Sequence, residues 1–456
     1  MQIKQFEDKN LSQYSYAVVS DCEKKMILID PARTVQPYLD FAQQNGLQLA
    51  GIIETHPHAD FVSGHLELHR LTGAPVYTSK RVDATYPHQS FDEGQSIRLG
   101  KITLSALFTP GHSPDSICIL LAHDGKQKAV FTGDTLFVGD CGRPDLREGA
   151  SKMHTKREEL AGQMFHSLRE KLMVLHDDVV VYPAHGAGTL CGKSLGKESS
   201  STIGREKQTN WSLQPASKAE FVENLLADQP FVPQYFPYAV ELNRQGVAPL
   251  AENLSRIAVL ESEGQINGFD KTAWIVDTRK GEAFKNGHLP HSVNLMEDGK
   301  FETWLGSIIR PGEKFYLAGE NEEQLQRMMK RAGSIGYETA IIAALVVTGG
   351  GVKEATMDVA RFRRHIDKYT IVDVRNTPEV KAGKIFPGSL AIPLAELRNR
   401  VGEIPTDKPI VVHCAGGYRS AAASSLIHSK RNGSVTVLDL GEAVKEFSQS
   451  EKLKEQ

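Results

Sequence analysis

The chain has 456 residues, 40% hydrophobic and 24% charged, with a formal charge of −3 at pH 7. This is the composition of about two to four soluble domains, and it gives no electrostatic case for nucleic acid or an anionic membrane. No apolar run approaches the roughly 18 residues of a membrane span. The five cysteines (Cys22, Cys118, Cys141, Cys191 and Cys414) form no CxxC pair, so neither a disulfide framework nor a zinc ribbon is expected.

In chain order, residues 14–19 and 26–29 read as paired strands joined by a polar turn, and 37–44 as a short helix ended by Asn45-Gly46. The apolar run 49–53 reads as a buried strand that leads into Thr55-His56-Pro57-His58-Ala59-Asp60. Two imidazoles and a carboxylate at alternating positions past a strand end suit a transition metal. Three further strand ends carry chemistry of the same kind: Thr109-Pro110-Gly111-His112, Thr132-Gly133-Asp134 and Tyr182-Pro183-Ala184-His185. The strand and helix patterns alternate as far as Ala184, which fits an α/β chain folded as an αββα sandwich with a metal at one edge.

The order of these motifs resembles the metallo-β-lactamase superfamily, and within it the glyoxalase II and persulfide dioxygenase branches. Dinuclear members carry His directly after the motif Asp, as a ligand of the second metal, whereas this chain has Phe61. That departure argues for one metal. By position, the resemblance implies a single Fe(II) on His56, His112 and Asp134, with His58, Asp60 and His185 orienting ligands or touching substrate. It also implies that Arg143, in the loop Gly139-Asp140-Cys141-Gly142-Arg143-Pro144-Asp145, holds a carboxylate of a thiol carrier. The plainer reading of Arg143 is a surface cation paired with Asp140 or Asp145.

Residues 186–210 are rich in glycine and serine, so their amides could cradle an anionic thiol carrier beside the metal, with Cys191 alongside. The plainer reading there is a solvated loop with a free thiol. Residues 214–246, punctuated by Pro215, Pro230, Pro233 and Pro237, are expected to begin with a helix near 219–226 and then cross in extended form. The first domain is placed at 1–248, including the linker 211–248.

The remainder is an internal repeat. Ile275-Val276-Asp277-Thr278-Arg279 recurs as Ile371-Val372-Asp373-Val374-Arg375, and Gly287 recurs as Gly383. Both halves resemble the rhodanese family, which implies two rhodanese-like α/β domains at 249–354 and 355–456. In the second, a strand ending at His413 runs into Cys414-Ala415-Gly416-Gly417-Tyr418-Arg419 and then a helix. Backbone amides and a helix N-terminus around Cys414, with Arg419 at sulfurtransferase spacing, stabilise a thiolate. A constant offset of 96 takes Cys414 to Ala318 and Arg419 to Glu323, so the first repeat is expected to be inactive.

Together the domains resemble bacterial persulfide dioxygenase–rhodanese fusions. The resemblance implies one Fe(II) per chain, oxidation of a thiol persulfide (of glutathione, coenzyme A or a similar thiol) by O2 to sulfite, and thiosulfate formation through Cys414. It further implies sulfide detoxification by a cytoplasmic homo-oligomer, a dimer or tetramer. A zinc-dependent glyoxalase II-like thioester hydrolase fused to a sulfurtransferase, and a non-catalytic sulfur-carrier scaffold, are the alternatives.

Overall fold

The structure is a computed structural model that describes residues 1–146, 156–261, 263–265 and 269–447. The chain folds as two compact units, Met1–Glu252 with Gly333–Gly336, and Asn253–Ala332 with Tyr337–Gln456.

The first unit is built on two six-stranded sheets. One runs in chain order through β1 (Gln2–Asp8), β2 (Gln13–Ser20), β3 (Lys25–Ile29), β4 (Gln48–Ile53), β5 (Val76–Thr78) and β6 (Gln89–Ser90). The other holds β7 (Ser96–Leu99), β8 (Ile102–Phe108), β9 (Ile117–His123), β10 (Lys126–Gly133), β11 (Val180–Pro183) and β12 (Ser201–Thr202). Every residue of β2 is buried, because strand side chains alternate and both faces are covered. Tyr16 and Val18 point inward against Ile119 and Phe131 of the facing sheet. Ala17 and Val19 point outward into a cluster with Tyr38, Leu66 and Leu68, which lie on helices. The outer face of the second sheet is closed in the same way by Met164, Leu168, Phe221 and Leu225. The result is a four-layer αββα sandwich.

β8 and β10 are each antiparallel to β9, and β10 is parallel to β11, so β8, β10 and β11 run the same way. The chain leaves β8, β10 and β11 into 109–112, Asp134 and His185, and leaves β4 into 54–60. A backbone bond from Ile117 N–H to the Thr55 carbonyl, 2.9 Å, joins the turn after β4 to the second sheet.

The linker is more helical than expected. Beyond the helix Lys218–Leu226 a second helix, Phe236–Gln245, replaces the extended crossing. Its proline occupies the first turn, where a missing N–H costs nothing and the fixed φ suits the helix. Proline content alone therefore misread this stretch.

The second unit contains two parallel sheets with matching order. The first holds β13 (Val259–Leu260), β14 (Trp274–Asp277), β15 (Ser292–Asn294), β16 (Phe315–Gly319) and β17 (Ile341–Val346) in the order β13-β17-β16-β14-β15. The second holds β18 (Thr370–Asp373), β19 (Leu390–Ala391), β20 (Ile410–His413) and β21 (Val437–Asp439) in the order β19-β18-β20-β21. The repeat extends to side chains. Arg279 binds Asp277 and the Gly287 carbonyl, and Arg375 binds Asp373 and the Gly383 carbonyl, both of these carbonyl bonds being 2.9 Å.

The constant offset fails at the next strand. β14 pairs Asp277 with Ala318, whereas β18 pairs Asp373 with His413. Ala318 therefore answers to His413, and Gly319 answers to Cys414. The helices begin at Glu322 and Tyr418, which leaves Glu323 and Arg419 as second residues of their helices. The first repeat has lost one residue between strand and helix.

Candidate metal centre and cysteine loop

At the sandwich edge His56, His112 and Asp134, all buried, bring one ligand atom each within 4.8 Å of one another. Nε2 of His56 and of His112 lie 3.8 and 3.4 Å from Asp134 Oδ2. The tautomers follow from the partners on the other ring nitrogen. Thr55 Oγ1 donates to Asp30 Oδ2 at 2.8 Å, so it accepts from His56 Nδ1–H at 3.0 Å. His112 Nδ1–H donates to the Arg143 carbonyl at 2.9 Å. Both rings thus carry their lone pair on Nε2, as metal-binding histidines with a fixing partner do. Gly142 permits this packing, since a methyl group there would overlap the Asp134 carbonyl.

The electrostatics suit a cation. Burial, reinforced by His58, pushes His56 well below the usual imidazole value. Burial alone would raise Asp134, but His185 and His112 hold its carboxyl well below the usual range. Neutral imidazole beside ionised carboxylate is the protonation state a metal requires. His56 Nε2 and Asp134 Oδ2 are buried without a hydrogen-bond partner, a costly state that a bound cation would relieve.

The other sequence-predicted residues gather around this trio. His185 donates from Nδ1 to Asp134 Oδ1 at 2.8 Å, and its Nε2 lies 2.9 Å from Asp60 Oδ2, at ion-pair distance without hydrogen-bond alignment. Burial opposes the charge on His185, but Asp134 and Asp60 raise it well above the usual value. Cys191 joins Asp60 and His185 in a second group of potential ligands within 4.8 Å. The same burial, with Asp60 and Asp134 nearby, pushes the Cys191 thiol well up. His58 belongs to a third group, with Asp30 and Glu54, its Nε2 3.2 Å from Asp30 and 4.0 Å from Glu54. Phe61 is buried and its ring lies tilted against His58, with centroids 4.2 Å apart.

Two expectations for the substrate loops change. Arg143 is 1% exposed, and its guanidinium is forked by Asp145 at 2.7 and 2.6 Å, so a carrier carboxylate would have to displace Asp145. Arg143 instead ties the loops together, its N–H donating to the Cys191 carbonyl at 2.9 Å. The glycine-rich segment is no open cradle either. The amides of Lys193 and Ser194 both donate to Asp140 Oδ2 at 2.8 Å, and Cys141 N–H and Trp211 Nε1–H donate to Oδ1. The concavity already holds an anion of the chain itself.

In the second repeat Cys414 is buried, and Gly417 N–H donates to its Sγ at 3.1 Å. Arg419 is the second residue of the following helix and is forked by Glu379 at 2.5 and 2.8 Å, with Cys414 also within its field. Burial brings His413, directly beneath, down to about 4 and keeps it neutral. Glu379, Asp30 and Glu54 escaped the sequence reading. Glu54 precedes Thr55 and Asp30 precedes Pro31, but neither position signals a buried carboxylate.

The profile of the Metallo-beta-lactamase superfamily matches residues 9–185, and that of the Rhodanese-like domain matches 358–448. The Mus musculus protein "Persulfide dioxygenase ETHE1, mitochondrial" is 30% identical over 181 residues, 40% of this chain and 66% of its own. The "Hydroxyacylglutathione hydrolase" of Francisella tularensis subsp. novicida is 31% identical over 187 residues, 41% of this chain and 68% of its own. Among solved structures, a metallo-beta-lactamase from Staphylococcus aureus subsp. aureus COL shares 31% identity with a TM-score of 0.67, covering 75% of this chain and 98% of that one. The chain spans 63–66% of the length of the mammalian persulfide dioxygenases it matches, just under two thirds. Among the described residues no helix is long and apolar enough to cross a membrane.

Proposed function

This chain belongs to the metallo-beta-lactamase superfamily and ends in a rhodanese-like domain, and on that premise we propose that it is a non-haem Fe(II) persulfide dioxygenase joined to a sulfurtransferase. The observation that carries the reading is the donor set, two imidazoles and one carboxylate with Nε2 of His56 and Oδ2 of Asp134 buried and unpartnered. His56, His112 and Asp134 would hold one Fe(II). When bound, the iron supplies the redox partner for O2 that no side chain offers.

The chain's own groups do the rest. Thr55 and the Arg143 carbonyl fix the two imidazoles, and Asp134 is fixed in turn by His185. His58, Asp60 and Cys191 complete the buried wall around that trio. In net terms a thiol persulfide, O2 and water give the thiol and sulfite: the outer sulfur is oxidised and dioxygen is reduced. At the second site the Cys414 thiolate takes the outer sulfur of a further persulfide, and the carrier thiolate leaves. Sulfite then attacks that outer sulfur, the sulfur–sulfur bond to Cys414 breaks, and thiosulfate departs. Gly417 N–H and Arg419 hold the negative charge on Cys414 between these steps. The carrier is a small thiol such as glutathione or coenzyme A, and the setting is sulfide detoxification in the cytoplasm by a homo-oligomer. Iron analysis combined with oxygen uptake on glutathione or coenzyme A persulfide tests the reading, with about one iron per chain and persulfide-dependent uptake expected.

One observation favours a second reading. Asp60, His185 and Cys191 could hold a second ion, as a zinc thioester hydrolase would need. Two zinc ions per active chain and thioester cleavage without oxygen uptake would establish it.

We place the first repeat as an inactive rhodanese-like domain, and the register makes this testable. A side chain at Gly319 would crowd Gln324 and Leu325, and Ala318 is fully buried within β16. In a Cys414→Ser background, neither Gly319→Cys nor Ala318→Cys should restore measurable thiosulfate:cyanide sulfurtransfer. Glu323 stands where a cation is needed, which disfavours a thiolate. Recovery of even a few per cent of wild-type turnover would show that the loop has been misread.

A further inference from the structure

We propose that the 296–299 loop of the first repeat is the positioning element for the Cys414 loop, acting through Tyr418. The inference rests on the reading of Cys414 as the sulfur-transferring residue. Tyr418 opens the helix that carries Arg419. Its hydroxyl donates to the Met296 carbonyl at 3.1 Å. Its ring packs against Gly299, where even a methyl group would overlap it.

The loop that receives Tyr418 is held firmly from its own side. Arg331 donates to the carbonyls of Glu297 and Gly299 at 2.7 and 3.0 Å and forks Glu302 at 2.6 and 2.7 Å. Further along the helix, Asn294 N–H donates to Ser425 Oγ at 2.9 Å, and Ser429 Oγ donates to the Ser292 carbonyl at 2.8 Å. Positions 418, 425 and 429 share one helix face, so the first repeat grips a single side of this helix. Arg419, one residue on, turns to Glu379 and Cys414 instead. Among the described residues the first repeat thus makes no hydrogen bond to Cys414 or to the Arg419 guanidinium, but fixes the helix end on which they depend. The Gly417 N–H and the Arg419 guanidinium must both stay aimed at one sulfur, and a misplacement near 1 Å can cost on the order of 100-fold.

The test is steady-state sulfurtransfer from thiosulfate to cyanide by the full chain, with oxygen uptake on glutathione persulfide as the internal control. Gly299→Ala, in a domain without a nucleophile, should lower kcat roughly tenfold and leave KM within about twofold, because geometry rather than substrate binding is disturbed. Tyr418→Leu should lose a similar amount. The double variant should be no worse than Tyr418→Leu, since no ring remains to be displaced. Ser429→Ala, which loosens the same helix face but far from the loop, should lose clearly less than Tyr418→Leu. Should Gly299→Ala fail to fold, Tyr418→Phe, which deletes only the bond to Met296, must still lower kcat with KM unchanged. Wild-type rates in Gly299→Ala or Tyr418→Phe, additive losses in the double variant, or an equal loss in Ser429→Ala would each overturn the proposal. A wild-type chain without sulfurtransfer would overturn the reading of Cys414 itself.

Discussion

Replacing His112 by alanine should empty the metal centre and reduce persulfide-dependent oxygen uptake by at least roughly 100-fold, more than the loss of an outer partner costs. On the proposed reading His112 supplies one of three donors, and the neighbouring His185 is already engaged with Asp134 and Asp60. His58 is already engaged with Asp30 and Glu54. Sulfurtransfer from thiosulfate to cyanide should persist in the same protein, because Cys414 and its partners lie in the other compact unit. Metal analysis and the two assays on one preparation decide the matter. Undiminished iron in His112→Ala would remove His112 from the ligand set, and two tightly bound zinc ions in active wild-type protein would remove iron from the account.

The second large effect is a change of product. On the proposed reading the metal site would deliver sulfite, since each persulfide consumed there would give up its one outer sulfur. Thiosulfate needs a second such sulfur presented to sulfite. Of the five cysteines, Cys414 has both an amide on its sulfur and a neighbouring guanidinium. Burial raises the thiols of Cys118, to about 11, and of Cys141 and Cys191. Supplied with persulfide and oxygen, wild type should accumulate thiosulfate. Cys414→Ser should consume oxygen at a comparable initial rate but release sulfite. Chromatography of the sulfur anions over time, corrected for the uncatalysed reaction of sulfite with persulfide, separates the outcomes. A wild-type proportion of thiosulfate from Cys414→Ser would move the transfer step elsewhere, with Cys191 the next thiol to examine.

Much of this architecture was legible because its signals are local. Each element of the trio follows a buried strand, so an apolar run that ends in His or Asp announces both the strand and the residue at its tip. The repeat was visible for the same reason, as an Asp–x–Arg ion pair closing β14 and β18. What escaped depends on contacts far apart in sequence. The offset of 96 holds for β14 and β18, but one extra residue in the first repeat before the next strand moves the cysteine position from Ala318 to Gly319, and only strand pairing reveals it. Arg143 looked like an anion receptor, yet Asp145, two residues away, takes both arms of its fork. A sequence cannot say whether a cation between acids faces outward or is already satisfied. The helix Phe236–Gln245 was hidden by proline, a residue that breaks helix interiors and begins helices equally well.

The carboxylate of Asp140, which gathers two amides of the glycine-rich segment, its neighbour's amide and the Trp211 indole, has a consequence on the time axis. Four donors drawn from three stretches of chain meet on one buried side chain, so the segment cannot loosen piecemeal. It opens as a unit or stays closed, in the manner of a cooperative local unfolding event. Cys191, 1% exposed behind it, is then visible to a small alkylating reagent only during those excursions. Its labelling half-life becomes a clock for the opening equilibrium of the wall beside the metal centre, readable on the intact protein long before global denaturation.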